Sequence, residues 1–146
     1  MKNKKVLILC TGNSCRSQMA EGILKFLNPN LEVYSAGTNI SKEVHPTAIQ
    51  VMQEIGIDIS KNRTKTVYEF LNQDFDYVIT VCDEAKESCP VFTGKVKKKL
   101  HIGFIDPAKA KGTQEEVLKI FREVRDEIYK KFSEFNKTFL KESNNN

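Results

Sequence analysis

The sequence predicts a single α/β domain in which a four-stranded parallel β-sheet is covered by helices on both faces. Its 146 residues, 40% hydrophobic and 29% charged, are enough to bury one core but few for two. Short apolar runs alternate with segments of helical periodicity, which is typical of a parallel sheet. We expect the domain to span residues 1–139 and residues 140–146 to form a flexible tail.

Four short segments are predicted as strands. The first, Lys5–Leu9, is an apolar run that ends in Cys10-Thr11-Gly12-Asn13, a sequence typical of a tight loop after a buried strand. The second ends at Ala36-Gly37. The predicted strands after the first cover residues 31–35, 77–81 and 100–102.

Apolar residues at helical spacing predict three helices, which cover residues 17–27, 46–56 and 113–139. Pro46 suits the first turn of the second helix, and Gly56 suits its C-terminal end. Thr113 followed by Glu116 indicates a capping box at the start of the third. The polar segment 83–88 is also compatible with a short helix.

Charge and composition exclude several classes of function. The net charge of +4 comes from scattered lysines without interleaved aromatic residues, which argues against nucleic-acid binding. The apolar run after the N-terminal lysines is too short for a signal peptide, and no segment is long enough to cross a membrane. We therefore expect a cytoplasmic protein, a monomer, whose four cysteines are reactive or metal-binding and not structural disulfides.

The loop Cys10–Ser17 is the main candidate site. Arg16 stands six positions after Cys10, a spacing that occurs often by chance. The context is more specific, because a buried strand precedes the loop and an amphipathic helix follows it. Such a loop directs successive backbone N–H groups toward one point, and Arg16 can grip two oxygens of one ligand. The predicted oxyanion-binding residues are Thr11, Gly12, Asn13, Ser14, Cys15, Arg16 and Ser17.

Cys10 is the candidate nucleophile of this loop. A cysteine in such a positive environment has a pKa lowered from about 8.5 into a range of roughly 3.5–7.5. We expect Ser17 to donate a hydrogen bond to its thiolate, and Asn13 to hold the loop in shape. The alternative is a buried structural cysteine beside a surface arginine.

The sequence as a whole resembles the arsenate reductases built on the low-molecular-weight tyrosine phosphatase fold. The resemblance covers the chain from Lys5 to about Phe139, with the motifs in the same order. These motifs are residues 10–22 (CTGNSCRSQMAEG), 34–37 (YSAG) and 78–82 (VITVC), Cys89-Pro90, His101, Phe104, Asp106-Pro107-Ala108 and residues 122–128.

The resemblance implies that Asp106 is the general acid that protonates the leaving oxygen. Two positions depart from the phosphatase branch of the family. Ala108 stands where an aromatic residue commonly stacks on phosphotyrosine, and Gln18 stands where proline is usual. Both departures favour a small inorganic substrate, arsenate, over a phosphoprotein.

The resemblance also implies a disulfide relay. Cys10 forms an adduct with arsenate, and Cys82 then attacks Cys10 as arsenite leaves. Cys89 displaces Cys10 from Cys82, which leaves a Cys82–Cys89 disulfide for thioredoxin to reduce. Other readings stay open: Cys82 as a plain buried residue, the four cysteines as a zinc site with poor spacing, or Cys15 as the resolving thiol. A tyrosine phosphatase and a non-catalytic redox sensor remain rival functions.

No tightly bound cofactor is expected, and a potassium site is in doubt. Some similar reductases bind potassium with residues matching Asn13, Glu21, Ser35 and an aspartate in a Thr-x-Asp stretch. Here Thr64-Lys65-Thr66 lacks that aspartate. The ammonium of Lys65 could replace the ion, or it could simply be solvated. His45 and His101 are expected to be structural.

Overall fold

The computed structural model describes residues 3–141 and contains the predicted parallel sheet. Its strands are β1 (Lys5–Cys10), β2 (Glu32–Gly37), β3 (Phe75–Thr80) and β4 (Val96–His101). All pair in parallel, in the order β2-β1-β3-β4. The four predicted strands are confirmed, although β4 begins earlier than predicted. Its first half is dominated by exposed lysines 97–99, which hide the apolar alternation of a strand.

The helices are α1 (Arg16–Leu27), α2 (Pro46–Gln53), α3 (Asp83–Ser88) and α4 (Gln114–Phe135). The capping box of Thr113 and Glu116 is present at the start of α4, as predicted. A π-helical segment, Asn136–Lys141, continues α4 and buries Leu140, so ordered packing extends past the boundary predicted at residue 139. The rest of the predicted tail, residues 142–146, lies outside the described residues.

The core surrounds β1. Residues 6–9 of this strand are all fully buried, although their side chains alternate between the two faces of the sheet. Both faces at the centre of the sheet are therefore covered, as the near-continuous apolar sequence predicted. Helices α1 and α4 pack against each other, and α2 packs against α4.

The strand order decides where a site can form. From β1 the chain passes to β2 on one side and then returns to β3 on the other, so the switch in strand order lies between β1 and β3. Ligand sites of open α/β sheets form at the carboxyl ends of the strands beside such a switch. Cys10 ends β1 and Cys82 follows β3, so both lie at this edge. Within residues 3–141, no helix has the length and apolar character needed to cross a membrane.

Candidate active site

The loop after β1 is held open by the segment 38–45, which runs beside it. Four loop carbonyls accept hydrogen bonds of 2.8–3.2 Å from this segment: Cys10 from Thr38, Thr11 from Asn39, Gly12 from Ser41 and Ser14 from His45. With the carbonyls turned outward, the N–H groups are left for a ligand. Among the described residues, no backbone N–H from Gly12 to Ser17 donates to a recorded acceptor. The loop therefore has the predicted form of an oxyanion cradle.

Asn13 holds the shape of the loop from inside. It is fully buried and takes a left-handed backbone conformation, with φ of 54°. Its Nδ2 donates to the hydroxyls of Ser17 and Ser35, each at 2.9 Å. Its Oδ1 accepts from the Lys65 backbone N–H at 2.9 Å and from Gln18 Nε2 at 3.0 Å. The sequence prediction that Asn13 shapes the loop agrees with these contacts.

Arg16 is positioned to bind an anion. Its Nη1 donates to the Phe104 carbonyl at 3.1 Å, and its Nη2 lies 3.5 Å from Asp106 Oδ2. Its Nε is the one buried side-chain nitrogen or oxygen without a hydrogen-bond partner in the part of the chain that the structure describes. An unpartnered buried donor is costly, so a ligand oxygen is the expected partner. Sequence reasoning missed the Phe104 carbonyl, since a backbone acceptor has no residue signature.

Asp106 and Cys10 border the same cavity of about 290 Å³ as Arg16. The Asp106 carboxylate also accepts the Ala108 N–H at 3.0 Å, which fixes it at the start of a short 3-10 turn, Pro107–Lys109. The predicted acid and the predicted nucleophile thus face one cavity. Ala108 lines it too, where the phosphatase branch would place an aromatic ring.

Cys10 and Cys82 interact with each other, and this interaction modifies one expectation. A hydrogen bond to Cys82, together with burial, raises the pKa of Cys10, although Arg16 and the Thr11 N–H act in the predicted, lowering direction. The same hydrogen bond lowers the pKa of Cys82 to about 5. These opposite directions favour Cys82 over Cys10 as the thiolate of the pair. The loop does lower the pKa of Cys10 as predicted, but the hydrogen bond to Cys82 and burial outweigh it, and the sequence prediction did not include this partner.

The Thr11 hydroxyl contributes to the environment of Cys82, a role that sequence reasoning missed. It lies 3.3 Å from Cys82 Sγ and 3.2 Å from Glu84 Oε2, and its single proton can be donated to either of these acceptors. Its hydrogen bond is one of the causes that lower the pKa of Cys82. No sequence pattern links these residues, because the contact arises only from the pairing of β1 with β3.

Two other predictions about the loop have different outcomes. Burial raises the pKa of Cys15 to about 12, so this thiol is a poor nucleophile. This environment argues against the alternative in which Cys15 is the resolving thiol. The Ser17 hydroxyl accepts from Asn13 Nδ2, and within the described residues no hydrogen bond from it to Cys10 is recorded. The expected Ser17–Cys10 bond is therefore not observed among the described residues, where the Ser17 hydroxyl instead accepts from Asn13.

Cys89 lies at the far end of α3 from Cys82. It is half-buried, its Sγ lies 3.5 Å from the Pro90 carbonyl, and burial raises its pKa. A helix rises about 1.5 Å per residue, which separates the two Cα atoms by roughly 10 Å. A disulfide requires Cα atoms within about 4.4–6.8 Å. The two sulfurs can join only if α3 unwinds.

The candidate cation site is filled by an ammonium group. Lys65 Nζ lies 3.9 Å from Glu21 Oε1 and donates to the Arg63 carbonyl at 3.1 Å. The other oxygen of Glu21 accepts from Lys25 and Asn62, each at 3.2 Å. Both carboxylate oxygens of Glu21, which is 4% exposed, already have partners. These residues do not fit a potassium ion, since the positively charged ammonium of Lys65 lies beside Glu21 and would repel it.

A zinc site finds no support in the geometry. Over residues 3–141, no group of three or more His, Cys, Asp or Glu side chains lies close enough to hold a metal ion. The four cysteines are all free thiols, and only Cys10 and Cys82 are joined by a hydrogen bond.

Several known proteins are similar to this chain in sequence or in fold. Residues 5–145 match the family described as low molecular weight phosphotyrosine protein phosphatase. An arsenate reductase of Halalkalibacterium halodurans is 51% identical over 93% of this chain and 98% of its own length. One from Bacillus subtilis is 45% identical over 94% and 99% of the two chains. A solved structure of an arsenate reductase in the oxidized state has a TM-score of 0.74 at 34% identity, covering 90% of this chain and 95% of the other.

Proposed function

This chain belongs to the low molecular weight phosphotyrosine protein phosphatase family and is an arsenate reductase, and we propose that it works through a disulfide relay of Cys10, Cys82 and Cys89 regenerated by thioredoxin. The observation that carries the relay is the hydrogen bond between Cys10 and Cys82 beside the oxyanion cradle. A phosphatase needs one thiol there; a two-electron reduction needs two.

The first step is attack of Cys10 on arsenate. Arg16 and the loop N–H groups hold the arsenate oxygens. As the Cys10 sulfur attacks, its proton passes along the hydrogen bond to Cys82, and Asp106 protonates the departing oxygen, which leaves as water. The product is a Cys10–arsenic(V) adduct, in which nothing has yet been oxidised or reduced.

The second step transfers the electrons. Cys82 loses its proton to solvent and attacks the Cys10 sulfur, and the electron pair of the breaking sulfur–arsenic bond stays on arsenic. Arsenic(V) becomes arsenic(III), arsenite leaves, and the two sulfurs are oxidised to a Cys10–Cys82 disulfide. The low pKa of Cys82 supports its role as the attacking thiolate.

The third step moves the disulfide outward. Cys10 and Cys82 are 3% and 4% exposed, so a disulfide between them is poorly accessible to a protein reductant. Attack of Cys89 on Cys82 releases the Cys10 thiolate and leaves a Cys82–Cys89 disulfide on the unwound segment of α3. The dithiol of thioredoxin then reduces it. The six-residue length of α3 and the lack of a side-chain cap at Cys82 make this unwinding inexpensive.

The shape of the cavity favours arsenate over a phosphotyrosine protein. Its volume of about 290 Å³ suits a small ligand, and the side chain after Pro107 is the methyl group of Ala108. No Phe, Tyr or Trp of the described residues lines it, and the one aromatic ring among its lining residues, that of His45, already packs on Phe121.

The test is arsenite production by the purified chain with thioredoxin, thioredoxin reductase and NADPH. We expect arsenite to form in step with NADPH oxidation, and no turnover when thioredoxin is omitted. Cys10→Ser should abolish arsenite formation while melting like the parent, because serine replaces only the sulfur. Arsenate reduction by Cys10→Ser at a near-parent rate would remove the proposed nucleophile. Turnover with NADPH and reductase alone would remove thioredoxin as donor.

A further inference from the structure

His45 lies beside the oxyanion cradle and takes no part in the relay. It lines the same cavity as Cys10 and Arg16 and stands at the N-terminal end of α2. Its Nδ1 accepts the Thr47 N–H at 3.1 Å, which caps the helix, and its ring packs on Phe121 with centroids 4.9 Å apart. The Nδ1 side of the imidazole therefore has a structural role, as a helix cap.

The capping bond determines where the imidazole carries its proton. Because Nδ1 accepts a hydrogen bond, it is unprotonated, and the neutral ring must bear its proton on Nε2. Among residues 3–141, Nε2 of His45 has no recorded hydrogen-bond partner, whereas both ring nitrogens of His101 have one. His45 therefore offers one free N–H donor at the wall of an anion-binding cavity.

The backbone of His45 is tied to the cradle itself. Its N–H donates to the Ser14 carbonyl at 3.0 Å, and the Ser14 hydroxyl donates to the Glu43 carbonyl at 3.1 Å. The residue that carries the ring is therefore hydrogen-bonded to the loop that would hold the substrate. The capping bond and the packing on Phe121 restrain the ring itself.

The residue type also indicates more than a cap. Ser, Thr, Asp and Asn are the preferred helix caps. At this position an aspartate would place a negative charge in an anion site, while serine and threonine are too short to reach into the cavity. Histidine is a less favoured cap, but when its Nδ1 accepts the capping bond its ring holds a neutral donor, Nε2–H, on the side away from the cap.

We propose that the Nε2–H of His45 donates a hydrogen bond to an oxygen of the tetrahedral oxyanion held in the cradle, making His45 a substrate-binding residue. The proposal deepens the proposed function by adding a residue to the same site. It is tested with inorganic phosphate, in the absence of arsenate and thioredoxin, so failure of the relay would not alter its outcome.

The first experiment separates the cap from the donor. His45→Asn keeps a favoured cap and removes the imidazole, so its melting temperature should match the parent while the Kd for phosphate rises about five- to tenfold. His45→Ala should lose both stability and phosphate affinity. Thr113→Ala, which removes the remote cap of α4, should lose stability and keep the parent Kd. A parent-like Kd in a stably folded His45→Asn would overturn the proposal.

The second experiment uses the unmodified chain. It contains two histidines, so nitrogen NMR resolves just two imidazoles. We expect neutral His45 to carry its proton on Nε2 and both of its ring signals to shift on saturation with phosphate, with the ring of His101 as the internal reference. If the His45 signals do not move, or its proton resides on Nδ1, the donor role is refuted even if every variant proves unstable.

Discussion

The cysteine pair illustrates how one residue changes the chemistry of another. The loop predicted a thiolate at Cys10, and Arg16 does act in that direction. The hydrogen bond to Cys82 has the larger effect, since it raises the pKa of Cys10 and lowers that of Cys82. For the proposed mechanism this means that Cys10 is activated only as its proton moves to Cys82. Free Cys10 need not be reactive.

Titration of the thiols tests this arrangement. The parent should gain about one thiolate per chain with an apparent pKa of about 5, since the pKa of Cys82 is lowered and those of the other three thiols are raised. Alkylation should therefore be slow below pH 5 and rapid above it, and should map to Cys82. Cys10→Ala removes the donor and should move the midpoint upward. Ultraviolet absorbance of the thiolate checks both.

Two results would count against Cys82 as the thiolate of the pair. One is an absence of thiolate below pH 8 in the parent. The other is an unchanged midpoint in a Cys10→Ala variant that melts like the parent.

At the level of single residues, sequence reasoning found what motifs carry and missed what folding brings together. Asn13 and Arg16 belong to one contiguous loop, so their roles could be predicted. The contact of the Thr11 hydroxyl with Cys82 joins two strands, and the Nε2 donor of His45 depends on a capping bond. Neither has a pattern in the sequence.

Among the elements, amphipathic helices were predictable and polar ones were not. Helix α4 has a complete apolar stripe and a capping box, and both appear in the structure. Three of the six residues of strand β4 are lysines, and the extent of the strand is defined by its pairing with β3. Sequence could suggest Lys65 as a cation substitute, but its approach to Glu21 depends on how the segment after α2 folds against α1.

Lys65 should make the enzyme indifferent to potassium. Its ammonium group lies beside Glu21, in the electrostatic position a bound ion would take. Activity and melting temperature should be equal in potassium and in a bulky organic cation at the same ionic strength. Lys65→Gln should lower the melting temperature, and potassium should restore part of it; Lys61→Gln, an exposed neighbour, should do neither. A potassium-specific increase in the activity or melting temperature of the parent would contradict this role of Lys65.

For the whole molecule, the sheet order places two of the three cysteines of the proposed relay at one edge. Cys10 ends β1, Cys82 follows β3, and β1 and β3 are neighbours at the switch in strand order. That placement could be predicted from alternating strands and helices together with the family resemblance. The separation of Cys82 from Cys89 by a folded α3 could not, and it adds a conformational step to the relay.

The central claim is the relay, and Cys89→Ser tests it most directly. Cys10 and Cys82 remain, so the variant should release about one arsenite per chain and then stop with a Cys10–Cys82 disulfide. Thioredoxin should restart it poorly, because both sulfurs are buried. Peptide mapping under non-reducing conditions after one exposure to arsenate shows which sulfurs are joined, and a parent-like melting temperature controls for folding. Sustained thioredoxin-driven turnover of Cys89→Ser at the parent rate would contradict the relay.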